Sequence, residues 1–131
     1  MIVRMLLVIL GLLHLLNGAL MLAAPGLWYT MAPGVTDTGP MNQHFVYDVG
    51  MAFVASGAML SLGARRGQSA AVLAGAGAAW PALHALIHIH GWITMGLPGR
   101  TDVLLSEALG VVGLAALGVV LAWLRMKGEP A

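Results

Sequence analysis

Two pairs of ionisable side chains in this chain are spaced as helix neighbours. His44 and Asp48 are four residues apart, as are His84 and His88, so on a helix each pair shares a face and can converge on one atom. Imidazole and carboxylate suit Zn, Cu(II) or Fe. Thiolate chemistry is excluded because the chain has no Cys. Asp48 with His84 and His88 would form a set of two histidines and one carboxylate, which leaves coordination positions for water, O₂ or substrate. His44 and Glu107 are candidates to complete or enlarge it. His14 and Asn17, three apart, share a stripe and form a candidate cofactor-binding pair. The competing use of the same residues is structural, with His84 and His88 bonding Asp48, Glu107 and Asn17 across helices.

The elements that must position these groups follow from composition. Of 131 residues, 60% are hydrophobic and only 8% charged, against roughly 25% charged in a soluble domain. Mean hydropathy is +0.89. Four apolar runs (Met5 to Ala24, Phe45 to Ala64, Ser69 to Trp92, Val103 to Leu124) are each about 20 residues, enough to cross a hydrocarbon core as helices. Period-two alternation is absent, which argues against barrel strands. The expected fold is all-α: one domain over 1–131, an integral membrane four-helix bundle with helices at about 3–24, 43–64, 69–92 and 102–125. The first run is too long for a signal peptide and is followed directly by Pro25, so it is expected to stay as a helix. Asn42, Ser69 and Thr101 are the expected N-caps. Pro81 should leave the carbonyl near Gly77 without its helical donor.

Arg4, Arg65, Arg66, Arg125 and Lys127 fall on one side of such a bundle, and Arg100 alone on the other. The positive-inside rule then gives an up-down-up-down topology with both termini cytoplasmic. Trp28, Tyr29, Tyr47 and Trp92 would mark the outer boundary. Asp48, His88 and Glu107 should lie roughly 4–6 Å below it, His84 and Asn17 about 10 Å, and His14 about 15 Å, at 1.5 Å per residue. A polar layer in the outer half is therefore expected, with no polar track continuing to the inner side. Ala71, Gly75 and Ala79, with Ala74 and Ala78 alongside, and Gly110, Gly113 and Gly118 are expected to pack helices closely. A homo-oligomer face, or a face for a larger membrane complex, is the alternative.

Other chemistries are weaker on the sequence. Haem held by His14 or His44 with His84 or His88 ranks below a metal ion, because the small-residue faces leave little room. A quinone exchanging protons with a histidine and a carboxylate ranks third. Glu107 has a bland partner in Arg100, His14 in Asn17, and His44 and His90 in interfacial water. The nine Met are dispersed, which does not favour a Cu(I) site. Ser56 and Ser61 are expected to lie away from the histidines, leaving no nucleophile–base pair. No glycine-rich phosphate motif occurs, and a net charge of +1 gives no case for nucleic acid. The 25–43 loop is long enough to act as a lid or to anchor at the interface through its aromatics.

The stretch Trp28 to Gly50, containing Asn42-Gln43-His44-Phe45-Val46-Tyr47-Asp48-Val49-Gly50, together with His84-Ala85-Leu86-Ile87-His88, resembles the signature of a family of uncharacterised bacterial four-helix inner-membrane proteins. The general layout is also similar to the DoxX-like four-helix proteins. The resemblance implies a bacterial cytoplasmic (inner) membrane location and no particular activity. After the second histidine the family is expected to read H-L-W-D, whereas this chain has His88-Ile89-His90-Gly91.

Overall fold

Long runs of Leu, Ala, Val and Met place no polar side chain in competition with the backbone, and in hydrocarbon every peptide group must bond within its own segment. Helices result. A computed structural model of the chain describes residues 1–128. It contains α1 (Ile2–Ala23), α2 (Pro25–Met31), α3 (Gln43–Gly63), α4 (Gln68–Met95), α5 (Thr101–Leu105), a π-helical stretch (Ser106–Gly113) and α6 (Leu114–Gly128), with no strand among the described residues. The last three run on as one rod. Four rods are thus long and apolar enough to cross a membrane: Ile2–Ala23, Gln43–Gly63, Gln68–Met95 and Thr101–Gly128. α4 continues to Met95, three residues past its expected end.

Capping is only partly as the sequence suggests. Asn42 caps α3, its side chain accepting from Phe45 N at 3.1 Å. Ser69 and Thr101 cap nothing: Gly67 and Arg100 hold the cap positions, without side-chain bonds. Gly67 sits at φ +102, a left-handed turn that few residues other than glycine adopt.

The tightest packing joins α1 and α3. A Cβ on Gly57 would lie 2.6 Å from the Gly11 carbonyl oxygen, and one on Gly18 would lie 2.6 Å from the Gly50 carbonyl oxygen. Only glycine permits such backbone approach. Gly77 of α4 meets Ser56 and Leu60 of α3 in the same way, and Gly63 meets Ala74. The small-residue stripes expected on the third and fourth spans are therefore rotated. Ala71, Ala74 and Ala78 are buried, but Ala79 is exposed, and the Cβ positions of Gly75 and Gly110 face open space. Gly113 approaches only Ala108 in its own stretch, whereas Gly118 does pack, against Leu10 and Ala78.

The main core comprises Leu7, Leu10, Leu60, Ala74, Ala78, Leu121 and Ala122. At this end of the molecule, which carries residue 1 and the turn after α3, Arg125 is buried. Its Nε donates to Gly63 O at 3.2 Å and its Nη2 to Arg65 O at 2.6 Å. Those carbonyls belong to the C-terminal end of α3 and the turn beyond it, where a cation also complements the helix dipole.

The 25–43 segment is a folded strap. Pro25 opens α2 at N1. Trp28 Nε1 donates to Asn17 Oδ1 at 3.0 Å, the Tyr29 hydroxyl donates to Gly39 O, and Asp37 pairs with Arg100 at 3.1 Å. Arg100 also pairs with Asp102 at 2.7 Å. The Asp102 hydrogen bond, then the charges of Asp102 and Asp37, raise the Arg100 pKa above its ordinary value. The strap thus links the end of α1 to the start of the last rod.

Candidate functional site

The candidate residues divide into three groups. His44 and Asp48 share a face of α3, as their spacing requires, with His44 Nε2 3.6 Å from Asp48 Oδ2. Their side chains are 88% and 55% exposed, so they form a surface pair. Four-residue spacing brings two residues together on one helix without deciding which way that face points.

The second group lies between α4 and the π-helical stretch. His88 Nδ1 stands 3.4 Å from Glu107 Oε1, with the two side chains 24% and 22% exposed. Trp92 Nε1 donates to Glu107 Oε2 at 2.6 Å. His84, one turn before His88, meets it edge to face with ring centroids 4.9 Å apart. Glu107 is therefore engaged with His88 and Trp92, while Arg100 is engaged with Asp37 and Asp102. The glutamate is the second residue of the π-helical stretch. Such wide-turn segments are rare and recur at functional sites.

The third group is buried. His14 Nδ1 is 3.0 Å from Ser56 Oγ, and Ser56 Oγ donates to Gly77 O at 2.6 Å. Pro81 explains the last bond: without an N–H it cannot serve the carbonyl four residues back, and Ser56 supplies the donor. A hydroxyl has one hydrogen. Since Ser56 gives it to Gly77, His14 must be the donor to Ser56, which makes it the Nδ1–H tautomer. Ser56 thus lies against a histidine, contrary to the sequence expectation. The polarity is nevertheless opposite to that of a nucleophile and its base. Asn17 does not pair with His14; it holds Trp28.

A ladder of rings links the last two groups. His14 meets Phe53 edge to face at 5.4 Å, Phe53 meets Trp80 at 4.8 Å, and Trp80 stacks on His84 at 5.2 Å with planes 5° apart. A groove of about 240 Å³ lined by Ala52, Ala55, Ser56, Met59, Ala76 and Trp80 shares the tryptophan with this ladder. Phe53, Ser56 and Trp92 were not legible as site residues, since their partners sit on other helices, whereas Trp80 stands four residues before His84 on the same helix, a spacing that could have flagged it.

Among the described residues no three His, Asp or Glu side chains come together as a metal-holding group. The expected convergence of Asp48, His84 and His88 is replaced by two separate pairs, His44–Asp48 and His88–Glu107. No protein-family profile matches the chain, and comparisons with curated proteins and with solved structures give no match.

Proposed function

We propose that this chain is an integral protein of a bacterial cytoplasmic membrane, an up-down-up-down four-helix bundle with both termini in the cytoplasm, that binds the headgroup of a lipid-soluble quinone at His84, His88 and Glu107. The length and hydropathy of the four rods support the membrane setting, and the one-sided Lys and Arg support the orientation.

One observation carries the site: Glu107 is held by Trp92 through one oxygen and faces His88 through the other. A partly exposed histidine–carboxylate pair at the edge of the hydrocarbon can give or take a proton. A quinone oxygen needs that exchange when its redox state changes. On the ladder from His84 to His14 the Phe53 ring has no polar atom and the Trp80 indole N–H only donates, so neither can relay a proton and proton exchange stays at the Glu107 end. The electrons would come from a partner, which makes the chain a binding subunit of a larger membrane complex.

A second reading rests on the same pair. A carboxylate at Nδ1 of a histidine leaves Nε2 to ligate a metal ion, so His84 and His88 would hold Cu, Fe or Zn with Glu107 orienting His88. Water or a partner's group would fill the remaining positions.

Protein in nanodiscs, titrated with a short-tail ubiquinone analogue, should show saturable quenching of tryptophan fluorescence. Glu107→Gln should weaken binding about tenfold, the scale of one charged hydrogen bond. Equal affinity in the wild type, Glu107→Gln and His88→Leu would sink the quinone reading. Stoichiometric metal lost in a His84→Ala, His88→Ala double variant would establish the second reading instead.

A further inference from the structure

At the end opposite Glu107, a groove of about 470 Å³ is lined by Met1, Arg4, Met5, Val8, Ala64 and Arg66. One wall is the first two turns of α1 and the other is the turn between α3 and α4. We propose that this groove binds the phosphate headgroup of an anionic phospholipid, with one acyl chain lying along α1. The inference is independent of the quinone reading.

The arrangement of charge carries it. Arg4 and Arg66 line the groove from its two walls, and guanidinium is the side chain best matched to phosphate oxygens. Below Arg4 on the same face, Met5 and Val8 are exposed and apolar. Along α1 the groove therefore passes from an arginine to apolar side chains within one turn, the same order as a phospholipid. Basic pockets between membrane helices take such headgroups. A soluble phosphate would meet the arginines but leave the exposed apolar side chains uncovered.

The wall bearing Arg66 is also fixed in advance. Arg125 holds the Gly63 and Arg65 carbonyls, and Gly67 makes the left-handed turn that follows. Little backbone ordering then remains to oppose binding.

Native mass spectrometry of the protein released from neutral detergent tests this, with phosphatidylglycerol and phosphatidylcholine of equal chain length as probes. Phosphatidylglycerol should be retained at least about tenfold more strongly than phosphatidylcholine. Arg4→Gln and Arg66→Gln should each weaken its retention about fivefold, and Arg66→Lys, which keeps the charge on an exposed turn, should retain most of it. Arg100→Gln at the far end should leave it unchanged. Equal retention of the two lipids, or an equal loss in Arg100→Gln and Arg66→Gln, would overturn the proposal. Full displacement of phosphatidylglycerol by an equal concentration of inorganic phosphate would overturn it too, by making the groove a free-phosphate site.

Discussion

Where α1 begins and α6 ends, Leu7, Leu10, Leu60, Ala74, Ala78, Leu121 and Ala122 meet in one buried cluster, with Arg125 fastened beneath it. Where the strap crosses, the rods are joined instead by polar links: Trp28 to Asn17, Trp92 and His88 to Glu107, and Arg100 to Asp37. The two ends differ in regularity as well. The cluster lies on unbroken α-helix, while Glu107 lies on the wide-turned stretch. The last rod is also the least enclosed, with 17% of its most apolar window buried against 39% for α4. In lipid, where apolar surface gains little by leaving its solvent, close backbone contact and interhelical bonds do the holding. Glycine contacts run along α1 and α3 towards both ends, and the strap end adds the interhelical bonds. Regions of low local stability are where binding and movement are usually placed, and the strap end brings a histidine–carboxylate pair, His88 and Glu107, to its least enclosed rod.

Substitutions separate the two modes. Gly57→Leu should be the most damaging, because its side chain would enter space held by the Gly11 carbonyl and the Leu15 backbone. A loss of at least about 3 kcal/mol, the upper range for overpacking, is expected in a detergent unfolding titration. Arg125→Ala should cost about 2–3 kcal/mol in the same assay, by orphaning the Gly63 and Arg65 carbonyls, and should leave the proposed quinone binding unchanged. Ser56→Ala should cost about 1 kcal/mol, since interhelical hydrogen bonds in membranes are individually modest. Gly110→Ala should change stability by less than about 1 kcal/mol, in the stabilising direction, because its Cβ would meet open space. If Gly110→Ala proved as harmful as Gly57→Leu, the contrast between the two ends would fail.

What was readable in the sequence was local. Hydropathy located all four rods, Asn42 announced its cap, and Pro81 announced an unserved carbonyl near Gly77. Each of these depends on residues within one turn or on a missing N–H. His88 was among the cross-helix partners open to Glu107 on the sequence, but Trp92 was not, because Ser106–Gly113 carries no residue pattern that marks a π-helix. Nor was Ser56, whose partners lie 42 and 21 residues away. Asp48 was misplaced because four-residue spacing fixes a pair on a helix but not the rotation of that helix in its surroundings. The α1–α3 glycines did have a visible signal, their seven-residue spacing, but the alanine-rich third span was the more conspicuous pattern.

That spacing has a consequence for how the helices find each other. Gly11 and Gly18 are seven apart and face Gly57 and Gly50, also seven apart. A repeat of seven favours a left-handed supercoil, yet it also tolerates error. Sliding α1 along α3 by two turns would still set one glycine against another, Gly11 on Gly50 or Gly18 on Gly57. Glycine contact alone therefore admits three alignments. In either slipped alignment His14 would no longer face Ser56, and Asn17 would leave the level of Trp28 only with its whole helix. The buried hydrogen bond between His14 and Ser56 is thus a proofreading mark: it is satisfied in one alignment and leaves an imidazole stranded in the others, much as a single buried polar residue sets the alignment of a coiled coil.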